Sequence, residues 1–158
     1  MERVDAILRH PAFTAALAEL HAQERERIFC RHGLEHLLDV ARLMYIYDRE
    51  AELGIAQETL YAAALLHDIG RTVQYRDGTP HDEAGVRLAR PILEDCGFTE
   101  QEIMEILTAI GGHRAPGVTA PLGRLLYRAD KKSRPCYACP AVGECNWPEE
   151  KKNHSLEF

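Results

Sequence analysis

The chain has 158 residues and a formal net charge of −6, with 46% hydrophobic and 28% charged residues. These values predict one globular domain whose core needs no disulfide support, and the acidic balance argues against nucleic acid as the main partner. No apolar stretch is long enough to cross a bilayer, and the first residues lack the pattern of a secretory signal. We therefore expect a cytoplasmic protein without a membrane partner.

Apolar residues recur at helical spacing along most of the chain, and no segment shows the alternation of a half-buried strand. The pattern predicts helices over residues 2–9, 13–25, 34–47 and 58–68, followed by helices that begin at His81, after Thr99 and at Pro121. A polar loop with the turn residues Asp77-Gly78 is expected after the fourth helix. The predicted fold class is all-α, a bundle of six or seven helices over residues 1–134 with a Cys-rich tail over residues 135–158.

One apolar run ends in an adjacent imidazole and carboxylate, in Leu65-Leu66-His67-Asp68-Ile69-Gly70. Such a pair can hold a metal ion through two different donor atoms, and the carboxylate can bridge to a second ion. Taken alone, the dipeptide is more often a surface or capping pair. Further His and Asp residues are predicted at helix ends or inward faces, where bundles build metal sites: His36, His81, His113 and Asp130.

These residues, in this order, resemble the HD-domain superfamily of metal-dependent phosphohydrolases over residues 31–132. The resemblance rests on His36-Leu37-Leu38-Asp39, Leu66-His67-Asp68-Ile69, His81-Asp82-Glu83-Ala84-Gly85, Ile110-Gly111-Gly112-His113 and Tyr127-Arg128-Ala129-Asp130. The two additional histidines, His81 and His113, resemble the binuclear branch, which includes bacterial enzymes that hydrolyse dinucleoside polyphosphates or act on cyclic dinucleotides. No Gly-Tyr-Pro signature follows the doublet, which counts against the cyclic di-GMP type.

The resemblance implies one or two divalent transition-metal ions, and mixed imidazole and carboxylate ligands suit Fe, Mn or Zn. One ion would be held by four ligands: His36, His67, Asp68 and Asp130. A second would be held by His81 and His113, with Asp68 bridging. The implied reaction is attack of metal-bound hydroxide on a phosphoester or phosphoanhydride of a small phosphorylated substrate, with a nucleotide expected.

The candidate catalytic residues are Asp68, His32 and Lys131. His32 resembles a histidine that serves as a proton donor in some family members, although it could equally be a helix-start residue. Arginine and lysine side chains bind phosphate, and the substrate-binding candidates are Arg71, Arg114, Arg128 and Lys131. The alternative for these cations is a solvated helix face in an acidic protein.

The tail holds three of the five cysteines, Cys136, Cys139 and Cys145. The spacing of Cys136 and Cys139 suits two thiolates on one ion, which suggests a second metal site with zinc or an iron–sulfur cluster. A closed zinc site or a four-thiolate cluster needs four ligands, one more than these three cysteines supply. Cys30, His154 or a residue of another subunit could complete the set, and the last option would make the chain a homodimer. The alternative is a pair of reactive thiols without a metal.

Two other functions stay open at this point. An HD-type di-iron oxygenase would use the same ligands to activate dioxygen. A non-catalytic module would use them to sense a nucleotide or a metal, with the Cys-rich tail contacting a partner.

Overall fold

The computed structural model describes residues 1–114, 117 and 119–156, and these form helices without any strand. The α-helices are α1 (Glu2–Arg9), α2 (Pro11–Gln23), α3 (Leu34–Glu50), α4 (Gln57–Leu66), α5 (Arg71–Asp77), α6 (His81–Asp95), α7 (Glu100–Gly112) and α8 (Pro121–Lys132). The all-α prediction is confirmed. In the described part of the chain, no helix combines the length and the apolar character that crossing a membrane requires.

Helix α5 is the element that the sequence pattern did not predict. It lies where turn residues indicate a polar loop, and among its seven residues Thr72 is the buried one. A helix this short presents no apolar stripe, and such a stripe is the signal by which helices are recognised in a sequence. The extra helix matters for the site because it carries Arg71 and Gln74.

Helix α4 is the centre of the bundle. Its last seven residues except Tyr61 are fully buried and mostly small or aliphatic: Leu60, Ala62, Ala63, Ala64, Leu65 and Leu66. Such a helix has no polar face to give to solvent, so it is enclosed by neighbours. Helices α1, α3, α6, α7 and α8 all pack against it. The His67-Asp68 doublet that follows α4 is therefore delivered into the interior.

Gly70 allows α6 to lie directly against the end of α4. A Cβ atom at this position would stand 2.1 Å from the carbonyl oxygen of His81 and 2.4 Å from the amide nitrogen of Gly85. No side chain fits at those separations. The glycine thus serves close packing just before the start of α5, and this packing sets His81 beside the doublet.

The residues after α8 fold back on the bundle in three short 3₁₀ turns: Cys136–Ala138, Val142–Glu144 and Glu149–Lys151. The Asn153 side-chain amide donates hydrogen bonds of 2.9 Å to the carbonyl oxygens of Lys131 and Arg134. The Arg134 guanidinium lies 3.7 Å from the ring centroid of Trp147. We keep the division into a helical domain (residues 1–134) and a tail (residues 135–158) as a proposal, with the tail packed on the domain.

Candidate metal centre

Six His and Asp side chains from the ends of five helices meet in the interior of the bundle. Two groups have ligand atoms that all lie within 4.8 Å of one another. The first group is His36, His67, Asp68 and Asp130, and the second is Asp68, His81 and His113. The structure therefore brings together all six residues that the sequence suggested as metal ligands, and Asp68 belongs to both groups.

The two carboxylate oxygens of Asp68 face different groups. Its Oδ2 lies 3.2 Å from Nε2 of His67 and 3.5 Å from Nε2 of His36. Its Oδ1 lies 3.5 Å from Nε2 of His81 and 3.9 Å from Nε2 of His113. Asp130 completes the first group, with Oδ1 at 3.6 Å from Nε2 of His36. A carboxylate that offers one oxygen to each group has the arrangement required of a bridging ligand.

The four histidines of these groups are oriented alike, with Nε2 toward the centre and Nδ1 held by a hydrogen bond. The Nδ1 partners are the Ser133 hydroxyl for His36, the Ala64 carbonyl for His67, the Gln74 amide oxygen for His81 and the Ile110 carbonyl for His113. For His67, His81 and His113 the partner is a carbonyl or amide oxygen, which can only accept, so Nδ1 carries the proton and Nε2 of the neutral ring keeps a lone pair. Fixing the outer nitrogen in this way is how proteins orient metal-binding histidines.

Several of the central atoms are buried without a hydrogen-bond partner in the described part of the chain: His36 Nε2, His67 Nε2 and both oxygens of Asp68. Arg71 Nε lies 2.8 Å from Asp68 Oδ1 as an ion pair, without hydrogen-bond geometry. Burying polar atoms without partners is costly, and a cation would supply the missing interaction. Imidazole and carboxylate donors suit Fe, Mn or Zn, so these residues fit one or two divalent ions.

The protonation states of Asp68, Asp130, His81 and His113 also suit metal binding. Burial lowers the pKa of His67, but the charges of Asp68 and Asp130 outweigh that effect, so the pKa of His67 is raised. Burial opposes ionisation of Asp68, but the charges of His67 and Arg71 hold its pKa well below the ordinary value. The pKa of Asp130 is likewise low, because His67 and Lys131 outweigh its burial. Burial lowers the pKa of His81 to about 3 and that of His113 to about 4. At neutral pH both carboxylates are therefore ionised, and these two imidazoles are neutral.

His32 stands beside the first group and is held by a buried carboxylate. Its ring centroid is 5.6 Å from that of His36. Its Nδ1 lies 2.5 Å from Glu24 Oε1, and its backbone N–H donates to Glu24 Oε2 at 2.7 Å. The Tyr75 hydroxyl donates to the same carboxylate. Glu24 is 3% exposed, and although burial raises its pKa, the hydrogen bonds and charge of His32 lower it to about 2.

Sequence reasoning missed Glu24 and Tyr75. Glu24 follows α2 within a run of charged residues, where a solvated side chain is the usual expectation. Tyr75 belongs to α5, which the sequence pattern did not predict. Only the packing of α2 on α5 joins the two residues.

A cavity of about 880 Å³ opens onto the metal centre, and His32, His81, His113 and Asp130 are in its wall. Among the residues that the structure describes, nine cationic side chains line it, against the two acidic ones of Asp130 and Glu150. The nine are Arg27, Arg71, Arg114, Arg128, Lys131, Lys132, Arg134, Lys151 and Lys152. The cavity is thus locally basic in a protein of net charge −6.

All four predicted substrate-binding residues line this cavity, but each has a neighbour of its own. Arg71 and Lys131 form ion pairs with the ligand carboxylates Asp68 and Asp130. Arg114 lies 3.3 Å from Asp82, and its side chain is half exposed. The Arg128 guanidinium stacks on the Tyr47 ring, 3.9 Å from its centroid. The guanidinium groups of Arg114 and Arg128 therefore form their contacts with residues other than the metal ligands.

The tail forms part of the cavity wall, which the sequence did not indicate. Trp147, Lys151, Lys152 and Asn153 all face the space above the metal centre, together with Cys136 and Cys145. Whether these residues line the cavity depends on how the tail packs on the helical domain, and no sequence motif indicates that packing.

The HD domain family model matches residues 33–134. Over the full length of both chains, this protein is 39% identical to an uncharacterized protein of Clostridium beijerinckii. It is 32% identical over 119 residues to ribonuclease Y of Thermus thermophilus, a match that covers 75% of this chain and 18% of the relative. Ribonuclease Y 1 of Pediococcus pentosaceus is 35% identical over 87 residues, or 48% of this chain and 16% of the relative. No solved structure matches. The chain belongs to the HD domain family, whose members are metal-dependent phosphohydrolases.

Proposed function

We propose that this protein hydrolyses a phosphoester or phosphoanhydride bond of a small phosphorylated molecule, with a nucleotide as the substrate class. One observation carries the proposal. In the described part of the chain, the cavity above the two ligand groups is lined by nine cationic side chains and two acidic ones, although the whole chain is acidic. Arginine and lysine bind phosphate through charge-assisted hydrogen bonds, so such a cavity attracts a phosphorylated ligand.

The size and the aromatic residues of the cavity support a nucleotide. A volume of about 880 Å³ lies within the range of pockets that enclose small organic ligands. Phe29, Tyr127 and Trp147 line it, and aromatic rings are the side chains on which a base stacks. Phosphates near the metal centre and a base nearer these rings would use both parts of the wall.

The ligand groups assign roles to the buried residues. His36, His67, Asp68 and Asp130 would hold one ion, and Asp68, His81 and His113 a second. Divalent ions in such a site lower the pKa of a coordinated water and neutralise charge on phosphoryl oxygens.

His32 is the candidate proton donor to the leaving oxygen. Its Nδ1 is committed to Glu24, so Nε2 is the nitrogen that can exchange a proton with a ligand in the cavity. Burial lowers the pKa of His32, while the Glu24 carboxylate opposes that effect and favours the protonated ring. Arg114, Arg128 and Lys131 would orient the phosphate groups.

RNA is a second candidate substrate. The similarity to ribonuclease Y favours it, although the chain spans about a fifth of the length of those relatives. The net charge argues against nucleic acid, but the basic cavity weakens that argument because a bound strand meets the local charge.

The test is a substrate panel on the full chain loaded with Fe, Mn or Zn. The panel holds nucleoside mono-, di- and triphosphates, dinucleoside polyphosphates, cyclic dinucleotides, sugar phosphates and a short RNA. We expect turnover of a nucleotide that is lost in Asp68→Asn and kept in Asp39→Asn, which changes an exposed aspartate of α3. Arg114→Gln should raise KM, whereas Arg87→Gln, at an exposed residue of α6 outside the cavity, should not.

Other outcomes identify the other functions. Cleavage of the RNA alone would replace the nucleotide proposal. Oxygen consumption without hydrolysis would indicate a di-iron oxygenase. Tight binding of a nucleotide without turnover, under every metal, would indicate a sensing module.

A further inference from the structure

Three of the five cysteines line one cavity although the sequence separates them, and a fourth, Cys139, is close enough to Cys30 for its charge to raise the pKa of that thiol. Cys30 belongs to the segment between α2 and α3, and Cys136, Cys139 and Cys145 belong to the tail. Cys30, Cys136 and Cys145 line the same cavity wall. All four are free thiols of intermediate burial, whereas Cys96 is buried in the core at the end of α6.

The tail cysteines follow one another through a repeated turn. The Cys139 N–H donates to the Cys136 carbonyl, Val142 N–H to Cys139, and Cys145 N–H to Val142, at 3.2, 3.2 and 3.4 Å. Each bond joins a residue to the one three positions before it in the chain. The series links positions 136, 139, 142 and 145, and three of these four are cysteines. A turn of this type brings the side chains of residues i and i+3 to the same side. The three tail cysteines therefore share one repeated turn spacing, which is more than a single Cys-x-x-Cys pair.

The electrostatic environment suits a group of thiolates. Burial raises the pKa of Cys30, and the neighbouring Cys136 and Cys139 raise it further, whereas Arg134 lowers it. Lys152 lies close enough to Cys145 and Cys136 for their charge to raise its own pKa, after the larger effect of Glu149. The four thiols thus share one neighbourhood with two cations, which would offset the charge of bound thiolates.

We propose that Cys30, Cys136, Cys139 and Cys145 form a four-thiolate iron–sulfur site beside the HD centre. The alternative fourth ligand, His154, is exposed and its Nε2 lies 3.1 Å from the Glu149 carboxylate. Cys30, in contrast, lines the cavity together with two of the tail thiols, those of Cys136 and Cys145.

In the described part of the chain, the cysteine sulfurs are not gathered as closely as one zinc ion would hold them, since no three of them lie within 4.8 Å of one another. Among the described residues, the groups whose ligand atoms all lie within 4.8 Å are the two His and Asp groups, and no cysteine belongs to either. A single zinc with Zn–S bonds of about 2.3 Å would hold its four sulfurs about 3.8 Å apart. In a [4Fe–4S] cluster each thiolate binds a different iron, so the sulfurs stand farther apart.

The site would join the tail to the helical domain. Cys30 is on the domain side and the other three ligands are on the tail, which also brings Trp147, Lys152 and Asn153 to the cavity. A cluster here would fix the wall that those residues form. This inference does not depend on the reaction proposed above.

The experiment uses the full chain, purified without oxygen and reconstituted with iron and sulfide. We expect about four irons and four acid-labile sulfides beyond the metal of the HD centre, with visible absorption and, after reduction, an electron paramagnetic resonance signal. Cys30→Ser and Cys136→Ser should each lose the sulfide and the signal, while Cys96→Ser keeps them. Asp68→Asn should keep the sulfide and lose the HD metal.

Circular dichroism of each variant checks that the helices remain, and limited proteolysis reports the tail. If Cys30→Ser folds but lacks the cluster, we expect the protease to cleave its tail, after Lys132, faster than that of the wild-type chain. One zinc without sulfide overturns the cluster. A cluster that survives Cys30→Ser but not His154→Ala overturns Cys30 as the fourth ligand, and no metal in any wild-type preparation overturns the site.

Discussion

The Nε2 atoms of His81 and His113 face each other at 3.2 Å. In each ring, Nδ1 donates to a hydrogen-bond acceptor: the Gln74 amide oxygen for His81 and the Ile110 carbonyl for His113. In the neutral rings, lone pairs therefore point at one another, an arrangement that is favourable only around a proton or a cation. Because burial lowers both pKa values to about 3 and 4, a proton is a poor occupant at neutral pH. The pair is arranged as two adjacent metal ligands.

His113→Ala should therefore remove one of two bound ions and leave the other. The first group does not contain His113, whereas Asp68 belongs to both groups, so Asp68→Asn should remove both ions. Metal analysis of the reconstituted variants gives the stoichiometry, with His21→Ala at an exposed residue of α2 as the control. Two ions retained in His113→Ala would contradict the assignment of the second group.

Gly70→Ala should disturb the second group and destabilise the fold. The added methyl would meet the His81 carbonyl at 2.1 Å, so α6 must move away from α4 and take His81 with it. Overpacking of this kind costs on the order of 1–3 kcal/mol in the free energy of unfolding. Denaturant unfolding and metal analysis measure the two effects. Gly143→Ala is the control, since a Cβ there has no atom within 4 Å. Unchanged stability and two bound ions in Gly70→Ala would contradict the steric argument.

Glu24→Gln should lower kcat while the metal content stays the same. The amide keeps the shape of the side chain but removes the charge that orients His32 and favours its protonated form. Loss of such a supporting partner lowers activity by about 10- to 100-fold. Steady-state kinetics over a pH range provide the measurement, and Glu26→Gln changes an exposed glutamate nearby. If kcat and its pH profile are unchanged in Glu24→Gln, His32 is not positioned for catalysis by this carboxylate.

The ligand residues could be proposed from the sequence because each belongs to a helix end with its own local signal. The apolar run before His67 predicts a buried helix, and the capping box of Thr99 and Glu102 starts the helix that leads to His113. Local spacing was therefore enough to bring His67 and His113 into one hypothesis.

What the sequence did not indicate depends on contacts between distant segments. Glu24 contacts His32 across the segment between α2 and α3, and Gly70 is needed only because α6 packs on it. The basic cavity is likewise assembled from separate segments, among them the residues around Arg27 and Trp147. Such relations have no period or motif, since they are set by tertiary packing.

Glu102→Gln should destabilise the protein at neutral pH but not in acid. Arg3 joins α1 to α4 and α7, with Nε at 2.6 Å from Glu58 and Nη1 at 2.9 Å from Glu102. The hydrogen bond from Arg3 lowers the pKa of Glu102 to about 2 from an ordinary 4.5, although burial opposes the shift. A lowered pKa in the folded state means that the ion pair stabilises above the unfolded pKa and is lost as the pH falls toward the folded one.

Glutamine can keep the capping interaction with Thr99, so the substitution isolates the charge. We expect a loss of about 1 kcal/mol near neutral pH, because the pair is partly exposed, and a difference that shrinks as the pH falls from 4.5 to about 2. Denaturant unfolding of both proteins across this range tests it, with Glu105→Gln, at an exposed residue of α7, as the control. An equal loss at both ends of the range would show that the carboxylate acts through packing or capping, and not through its charge on Arg3.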